Sequence, residues 1–393
     1  MNKNLKFIYG ISIISYFLQG LEGLPGQALF CFMKNKLHLD PSTIMFLGSI
    51  TGIAWILKII WGVLSDQLFS KRTWFLLSLI GSAILSCIMG MTFFPISVVI
   101  ILLTIQSTCS SIRDVNADGI ACIEGKRSNL TGKLQAVQWG AITVASLIVG
   151  LAGGFIAQNL DYKVGYLALI PLYLVAGWFI WHYKEKKIKK PICNWIQTFT
   201  QYKQLWKDKR FLVMCLFLFL YVFAPSFGTP LSFIDRDKFH FSEIYIGILG
   251  AIFSVCGIIG AIIYYRMCKR INLRKWITGS VYIGAITTLF YLKYTPQTMV
   301  IYGILFSTVG MFVHLILLDT MARISITGLE ATSFAVLCGI FNLAGTISSL
   351  SGAYLLPKIG LNPLIIVSAI TSFACLPLIS HLKLDKHNEN NKM

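Results

Sequence analysis

The chain has 393 residues, of which 56% are hydrophobic and 13% are charged, with a mean hydropathy of +0.71 and a formal net charge of +18. Soluble chains carry roughly a quarter of charged residues, so this composition excludes an ordinary soluble enzyme. Apolar runs such as 246–265 and 299–318 reach the about 20 residues that a helix needs to cross ~30 Å of hydrocarbon. The sequence therefore predicts an integral membrane protein with many spans.

In chain order, the apolar segments predict twelve transmembrane helices. Their predicted bounds are 6–33, 41–65, 73–94, 95–122, 131–159, 164–183, 210–234, 241–265, 273–293, 297–322, 328–355 and 361–382. The first run is too long for a signal peptide and contains Glu22, so we interpret it as a retained span. The predicted organisation is an N-terminal six-helix bundle (1–183), a basic cytoplasmic linker (184–209) and a C-terminal six-helix bundle (210–393).

Lysine and arginine are distributed unevenly between the two sides of these spans. With the N-terminus inside, 25 of the 34 fall in cytoplasmic segments, seven fall in outer segments, and Lys58 and Arg113 lie within spans. This bias predicts that both termini are cytoplasmic. The basic run 184–190 is expected to rest on anionic lipid headgroups, and no nucleic-acid partner is expected. The ten scattered cysteines give no reason to expect a metal site or a cofactor.

A shift of 202 residues superposes parts of the two halves. Residues 36–39 (Lys-Leu-His-Leu) then meet 238–241 (Lys-Phe-His-Phe). Upstream, 24–26 lie opposite 226–228, so we predict that the first span of each half is broken near its outer third. Two six-span halves in parallel repeat predict an all-α major facilitator fold with a substrate cavity between the halves. A protein of this fold is expected to work by alternating access, in which one half moves against the other.

Charged side chains inside spans cost about 2.5–3.5 kcal/mol each on insertion scales, so they indicate a wet or paired environment. One face of span four carries a stripe of polar side chains: Ser107, Ser111, Asp114 and Asp118. Two carboxylates one helical turn apart repel unless a cation intervenes. Such a pair suits a proton-coupled carrier, and a structural ion-pair network is the open alternative. Lys58, deep in span two, would suit an anionic substrate.

The second half carries Asp319 and Arg323 at the end of span ten, at helical spacing for an ion pair. We include both among the candidate substrate or coupling residues. His314 lies about one turn deeper, where packing and proton relay are alternatives. Arg113 lies ~100° around span four from Asp114 and could reach a neighbouring span.

Span two ends in Gly-Val-Leu-Ser-Asp (62–66), followed by Lys71 and Arg72. This arrangement resembles the loop signature of major facilitators, in which a carboxylate at a helix end pairs with basic residues. The resemblance implies that Gly62, Asp66 and Arg72 act in gating rather than in substrate binding.

Further motifs occur in order along both halves. In the first half they are Tyr-Phe-x-Gln-Gly (16–20), Leu-x-Leu-x-Pro (37–41), Trp-x-x-Lys-x-x-x-Gly-x-x-Ser-Asp (55–66), Asp-Val-x-x-Asp (114–118) and Leu-Gln-x-x-x-Trp-Gly (134–140). In the second half they are Met-Ala-Arg (321–323), Gly-x-Glu-Ala-Thr-x-Phe-Ala (328–335) and Asn-Leu (342–343). Over nearly its full length the chain resembles the folate–biopterin transporter family, a branch of the major facilitators.

The resemblance implies a translocation site or coupling network drawn from both halves: Lys58, Asp114, Asp118, Gln135, Trp139, Arg323 and Asn342. A carboxylate could hold the edge of a pterin ring, whose flat face could stack on Trp139. Lys58 and Arg113 or Arg323 could receive the carboxylates of a folate tail.

The resulting expectation is a secondary transporter, not an enzyme, that moves a folate- or pterin-like anion together with protons. It is expected to be a monomer in the inner membrane of a bacterial cell. The alternatives are a facilitator of another small metabolite (a nucleotide, an amino-acid derivative or a drug) and a transport-dead receptor.

Overall fold

A computed structural model describes residues 3–182, 203, 205–326 and 330–382. Within this part of the chain, helices form the twelve predicted spans, and the predicted linker 184–209 lies largely outside it. The helices are α1 Lys3–Leu21, α2 Gly26–Cys31, α3 Pro41–Ile56, α4 Lys58–Gln67, α5 Lys71–Met91, α6 Ile96–Ser128, α7 Thr131–Asn159, α8 Tyr162–Trp181, α9 Lys209–Val222, α10 Gly228–Asp237, α11 Glu243–Met267, α12 Leu273–Phe290, α13 Pro296–Ile324, α14 Glu330–Ile359, α15 Leu361–Thr371 and α16 Leu376–Ile379. Nine of the described helical segments are individually long and apolar enough to cross a bilayer.

The first span of each half is broken, as the sequence repeat predicts. Span one is divided into α1 and α2, and span seven into α9 and α10. In the loops that follow, His38 and His240 occupy equivalent positions and both adopt a left-handed conformation, with φ angles of 54° and 53°. Their hydrogen bonds also correspond: Leu37 N–H donates to the Phe32 carbonyl, and Phe239 N–H donates to the Ile234 carbonyl. The repeat is therefore a property of the backbone as well as of the sequence.

Two predicted spans differ in detail from the structure. Span two is interrupted at Leu57 (φ −71°, ψ 2°), so that Lys58 begins a new helix, α4. Span four extends to Ser128, beyond the predicted end at 122. Basic side chains in the last turn stabilise this helix, because they lie at the negative end of the helix dipole. Asn129 then ends α6 in a left-handed conformation, a geometry that asparagine tolerates.

Side-chain caps define several helix starts. Asp40 accepts hydrogen bonds from the backbone N–H (3.1 Å) and the hydroxyl (2.6 Å) of Thr43 at the start of α3. The Thr43 hydroxyl is the main reason that the pKa of Asp40 lies below its usual value. Ser242 caps α11 in the same way through the N–H of Tyr245. These caps fix where spans two and eight enter the bundle.

The two halves pack chiefly through α7 against α11 and α3 against α14. We call the end of the bundle at which α1 begins the terminal face, and the other end the distal face. At the distal face, α7 and α11 approach so closely that a Cβ on Gly247 would lie 2.2 Å from the Gly150 carbonyl oxygen. Lys34 also pairs there with Asp237 at 2.5 Å. At the terminal face, the Lys126 ammonium donates to the carbonyl of Ser325. The halves thus meet at both faces, and the charges between them are enclosed.

Candidate functional site

The centre of the candidate site is a buried ion pair between spans two and four. The interruption at Leu57 places Lys58 at the first turn of α4, where its ammonium pairs with the carboxylate of Asp114 on α6. Both residues are almost fully buried, at 6% and 2% exposure. The Lys58 Nζ also lies 4.9 Å from the centre of the Trp55 ring. The structure thus brings together two of the predicted site residues.

Asp118, one turn further along α6, is held by neutral donors instead of a cation. The Tyr16 hydroxyl donates to its Oδ1 at 2.5 Å, and Gln138 Nε2 makes a longer contact of 3.5 Å to the same oxygen. Asp118 is 5% exposed. The predicted stripe on span four therefore forms a site with one paired carboxylate and one carboxylate bound to a phenol.

Several buried polar atoms around these carboxylates have no hydrogen-bond partner among the described residues. They are Ser111 Oγ, Gln135 Oε1, Gln138 Oε1, Trp139 Nε1 and His314 Nε2. More than 90% of buried polar groups in folded proteins are paired, so these unpaired atoms can receive hydrogen bonds from, or donate them to, a polar ligand or water. The site combines fixed charges with free hydrogen-bonding capacity.

A cavity of about 240 Å³ lies between α3 and α14, beside this network. Trp55, Phe341 and Asn342 contribute to its lining, and the Asn342 amide donates to the Trp55 carbonyl at 3.2 Å. This volume is slightly below the roughly 300–1,000 Å³ that is usual for small-molecule sites. Asn342 thus bridges the halves at a cavity lined by Trp55, the side chain whose ring Lys58 approaches.

Arg113 lies apart from the Lys58 network. Its Nη2 pairs with Glu22, which directly follows α1, at 2.6 Å, and that carboxylate also accepts from Ser110 (2.6 Å) and Tyr173 of α8 (3.0 Å). These four residues all belong to the first half. Arg113 is 1% exposed, and its Nε and Nη1 have no partner in the described part of the chain.

Asp319 and Arg323 also lie elsewhere, at the terminal face. Arg323 Nη2 pairs with Asp319 at 2.8 Å, and the hydroxyls of Tyr264 (2.8 Å) and Thr131 (2.7 Å) donate to the same carboxylate. Because Thr131 belongs to α7 of the first half, the pair forms part of a contact between the halves.

The predicted gating residues are described only in part. A Cβ on Gly62 would lie 3.3 Å from the Cβ of Ala335 on α14, so this glycine lies at a close contact between the halves. The Arg72 guanidinium lies 5.0 Å from the centre of the Trp181 ring. The side chain of Asp66 lies outside the part of the chain that the structure describes.

Sequence reasoning missed three residues of the site: Tyr16, Trp55 and Gln138. Tyr16 and Trp55 stand in the motifs at 16–20 and 55–66, but an aromatic residue in an apolar span carries no distinguishing signal of its own. Gln138, three residues after Gln135 on the same helix, is a polar residue in a span and could have been found by that criterion.

Comparisons with known proteins extend this description. Twelve spans in two matched bundles that enclose charged residues define a membrane transporter. The sequence profile of the Major Facilitator Superfamily matches residues 8–326, most of the chain, and the protein belongs to that superfamily. Its function is therefore transport and not enzymatic catalysis.

Among curated proteins, a folate-biopterin transporter of Synechocystis sp. is 27% identical over 95% of this chain and 81% of its own length. Folate transporter 1 of Plasmodium falciparum is 22% identical over 96% of this chain and 79% of its own length. These relatives confirm the predicted resemblance to folate–biopterin transporters.

Solved structures confirm the fold. The human organic anion transporter MFSD10 matches with a TM-score of 0.74 at 15% identity, covering 96% of this chain and all of that one. The E. coli fucose:proton symporter FucP matches with a TM-score of 0.71 at 13% identity, covering 95% of this chain and 98% of that one.

Proposed function

We propose that this protein carries a folate- or pterin-like organic anion across a membrane by alternating access, coupled to protons. The relatives named as folate or folate-biopterin transporters support the substrate class. The observation that carries the proposal is the enclosed Lys58–Asp114 pair with Asp118 one turn away. A cation of this kind, buried between two halves, is suited to receive a substrate carboxylate.

An exchange of partners would couple the substrate to a proton. When a substrate carboxylate binds Lys58, it displaces Asp114, whose charge is then unpaired in a poorly hydrated site. An unpaired buried charge is strongly unfavourable, so Asp114 takes up a proton. One carboxylate and one proton enter together, and the net charge of the site stays constant. Asp118, held by Tyr16, would remain available to the polar edge of the ring.

Asp319 and Arg323 have a different role in this proposal. The hydrogen bond from Thr131 to Asp319 joins the halves at the terminal face, and Arg323 pairs with Asp319, so we assign both residues to gating and coupling and not to direct contact with the substrate. Gly62, Asp66 and Arg72 would form the corresponding gate at the end of span two. Arg113, paired with Glu22, would support the first half from within.

The chain is proposed to lie in the inner membrane of a bacterial cell as a monomer, with both termini in the cytoplasm and with basic segments on anionic lipid headgroups. The excess of Lys and Arg in the loops of the terminal face supports this orientation. Thiol labelling of single cysteines placed in the loops at positions 38 and 129 tests it. Position 38 is expected to be labelled from outside the cell and position 129 only after permeabilisation.

Uptake by reconstituted protein tests the proposed function. Proteoliposomes are expected to take up both radiolabelled folate and radiolabelled biopterin. Folate, which has the carboxylate that displaces Asp114, is expected to accumulate when a proton gradient is imposed, and less without it. Lys58→Gln should abolish folate uptake, whereas the matched variant Lys163→Gln, at a partly exposed lysine at the start of α8, should leave it unchanged. Wild-type uptake no greater than that of empty liposomes for both compounds would remove the proposed substrate class.

A further inference from the structure

We infer that His314 forms, together with Trp139, the subsite that recognises the flat heterocyclic ring of the substrate, with one ring supplied by each half. This inference rests on the proposed function and specifies where the ring part of the substrate binds. Trp139 belongs to α7 of the first half, and His314 belongs to α13 of the second half. Their ring centres are 4.0 Å apart with an interplanar angle of 68°.

The two rings belong to an aromatic row that crosses between the halves. The ring centre of Tyr16 lies 6.4 Å from that of Trp139, and the ring centre of Phe341 lies 5.8 Å from that of His314. Tyr16 also donates to Asp118, and Phe341 lines the cavity between α3 and α14. The row therefore connects the cavity to the carboxylates of the candidate site.

Both central rings carry unused hydrogen-bonding nitrogens. Trp139 Nε1 and His314 Nε2 are buried, and neither has a hydrogen-bond partner within the described residues. Aromatic packing alone would be served equally well by phenylalanine, which has no polar atom to leave unpaired. Two unpaired nitrogens on touching rings thus point to a bound partner with polar atoms in the plane of a flat ring.

The chemistry of these nitrogens defines the partner. An indole N–H is a donor only, so Trp139 requires a carbonyl oxygen or a ring nitrogen. The Nε2 of a neutral histidine either donates or accepts, according to its tautomer. A pterin ring offers carbonyl and ring-nitrogen acceptors as well as N–H donors along its edges. Its flat face also suits stacking on an aromatic side chain.

The position of the pair also connects ring binding with the movement of the halves. The rings now touch, so a heterocycle can enter between them only when α7 and α13 separate. Once inserted, the heterocycle would contact both halves at once. In this arrangement the ring binds at the aromatic pair and the carboxylate tail binds at Lys58, so the two parts of folate have separate subsites.

Competition against radiolabelled folate on the purified protein tests this division. The competitors are biopterin, which has the ring without the glutamate tail, and p-aminobenzoyl-glutamate, which has the tail without the ring. His314→Phe preserves an aromatic ring but removes both nitrogens. This variant is expected to bind biopterin about tenfold more weakly, the effect of one lost hydrogen bond. Its affinity for p-aminobenzoyl-glutamate is expected to change by less than about twofold. Lys58→Gln should give the reverse pattern.

Two further variants separate recognition from folding. His314→Gln, which retains polar atoms, should recover part of the affinity for biopterin. Phe306→Leu alters a partly buried aromatic residue on the same helix that packs on Tyr291 and Tyr302 instead, and it should affect the binding of neither competitor. Unchanged biopterin binding in His314→Phe, or an equal loss of both competitors, would overturn the ring subsite while leaving the proposed function in place. Failure of the wild-type protein to bind folate and biopterin would overturn both.

Discussion

Thr131, at the start of α7 in the first half, donates a hydrogen bond of 2.7 Å to Asp319 of α13 in the second half. Asp319 is fully buried and is also bound by Tyr264 and Arg323. Gly132 permits this approach, because a Cβ there would lie 3.1 Å from the Asp319 carboxylate. The N-terminus of α7 and the carboxylate of α13 thus hold the halves together at the terminal face.

Thr131→Val should therefore favour opening of the terminal face. Loss of a hydrogen bond worth about 1 kcal/mol is expected to raise the open population roughly fivefold, as measured from distances between spin labels placed on the two halves. Thr143→Val is the control, because the Thr143 hydroxyl donates within its own helix, α7, to the Trp139 carbonyl at 2.6 Å. An open population equal to that of the wild type would show that Thr131 does not stabilise closure.

Gly247→Ala should favour opening of the distal face, the opposite end of the bundle from the one that Thr131→Val opens. Its new Cβ would lie 2.2 Å from the Gly150 carbonyl oxygen, a backbone atom that moves only with α7. Label pairs across the distal face are expected to report a larger separation. Gly279→Ala on α12 is the matched control, since no heavy atom lies within 4 Å of the position of its Cβ among the described residues. Equal separations in the two variants would refute the role of this close contact.

The Glu22–Arg113 pair should be important for stability and not for substrate binding. Removal of either partner leaves a buried charge uncompensated, which typically costs about 3–5 kcal/mol. Glu22→Gln and Arg113→Gln are each expected to lower the melting temperature in detergent. The double variant should be less destabilised than the sum of the single variants, because neither charge remains. Additive losses, or a selective loss of substrate binding without a change in stability, would contradict this assignment.

Sequence patterns predicted the fold well because a bilayer limits the choices. The lengths of the apolar segments predicted the twelve spans. The correspondence of residues 202 positions apart predicted the broken first span of each half and the matching loops that contain His38 and His240. Helix interruptions were harder to predict. Leu57 is an ordinary helix former, so nothing in its side chain indicates the break that positions Lys58.

The sequence indicated which residues belong to the candidate site but not which side chains pair with one another. Lys58, Asp114 and Asp118 were found because charges in spans are rare. Periodicity fixes the face of a helix but not the neighbour that it meets, so the pairing of Arg113 with Glu22 was not predicted. For the same reason the phenol of Tyr16, which binds Asp118, was not predicted.

In the proposed mechanism, Asp114 releases Lys58 to the substrate and takes up the coupling proton. Two assays on Asp114→Asn in proteoliposomes test it most directly: folate counterflow, which needs no gradient, and accumulation driven by a proton gradient. Asp161→Asn, at the partly exposed cap of α8, is the control and should behave as the wild type in both assays. Our account predicts that Asp114→Asn retains counterflow but no longer accumulates folate when the gradient is imposed. Accumulation at the wild-type level in this variant would contradict it.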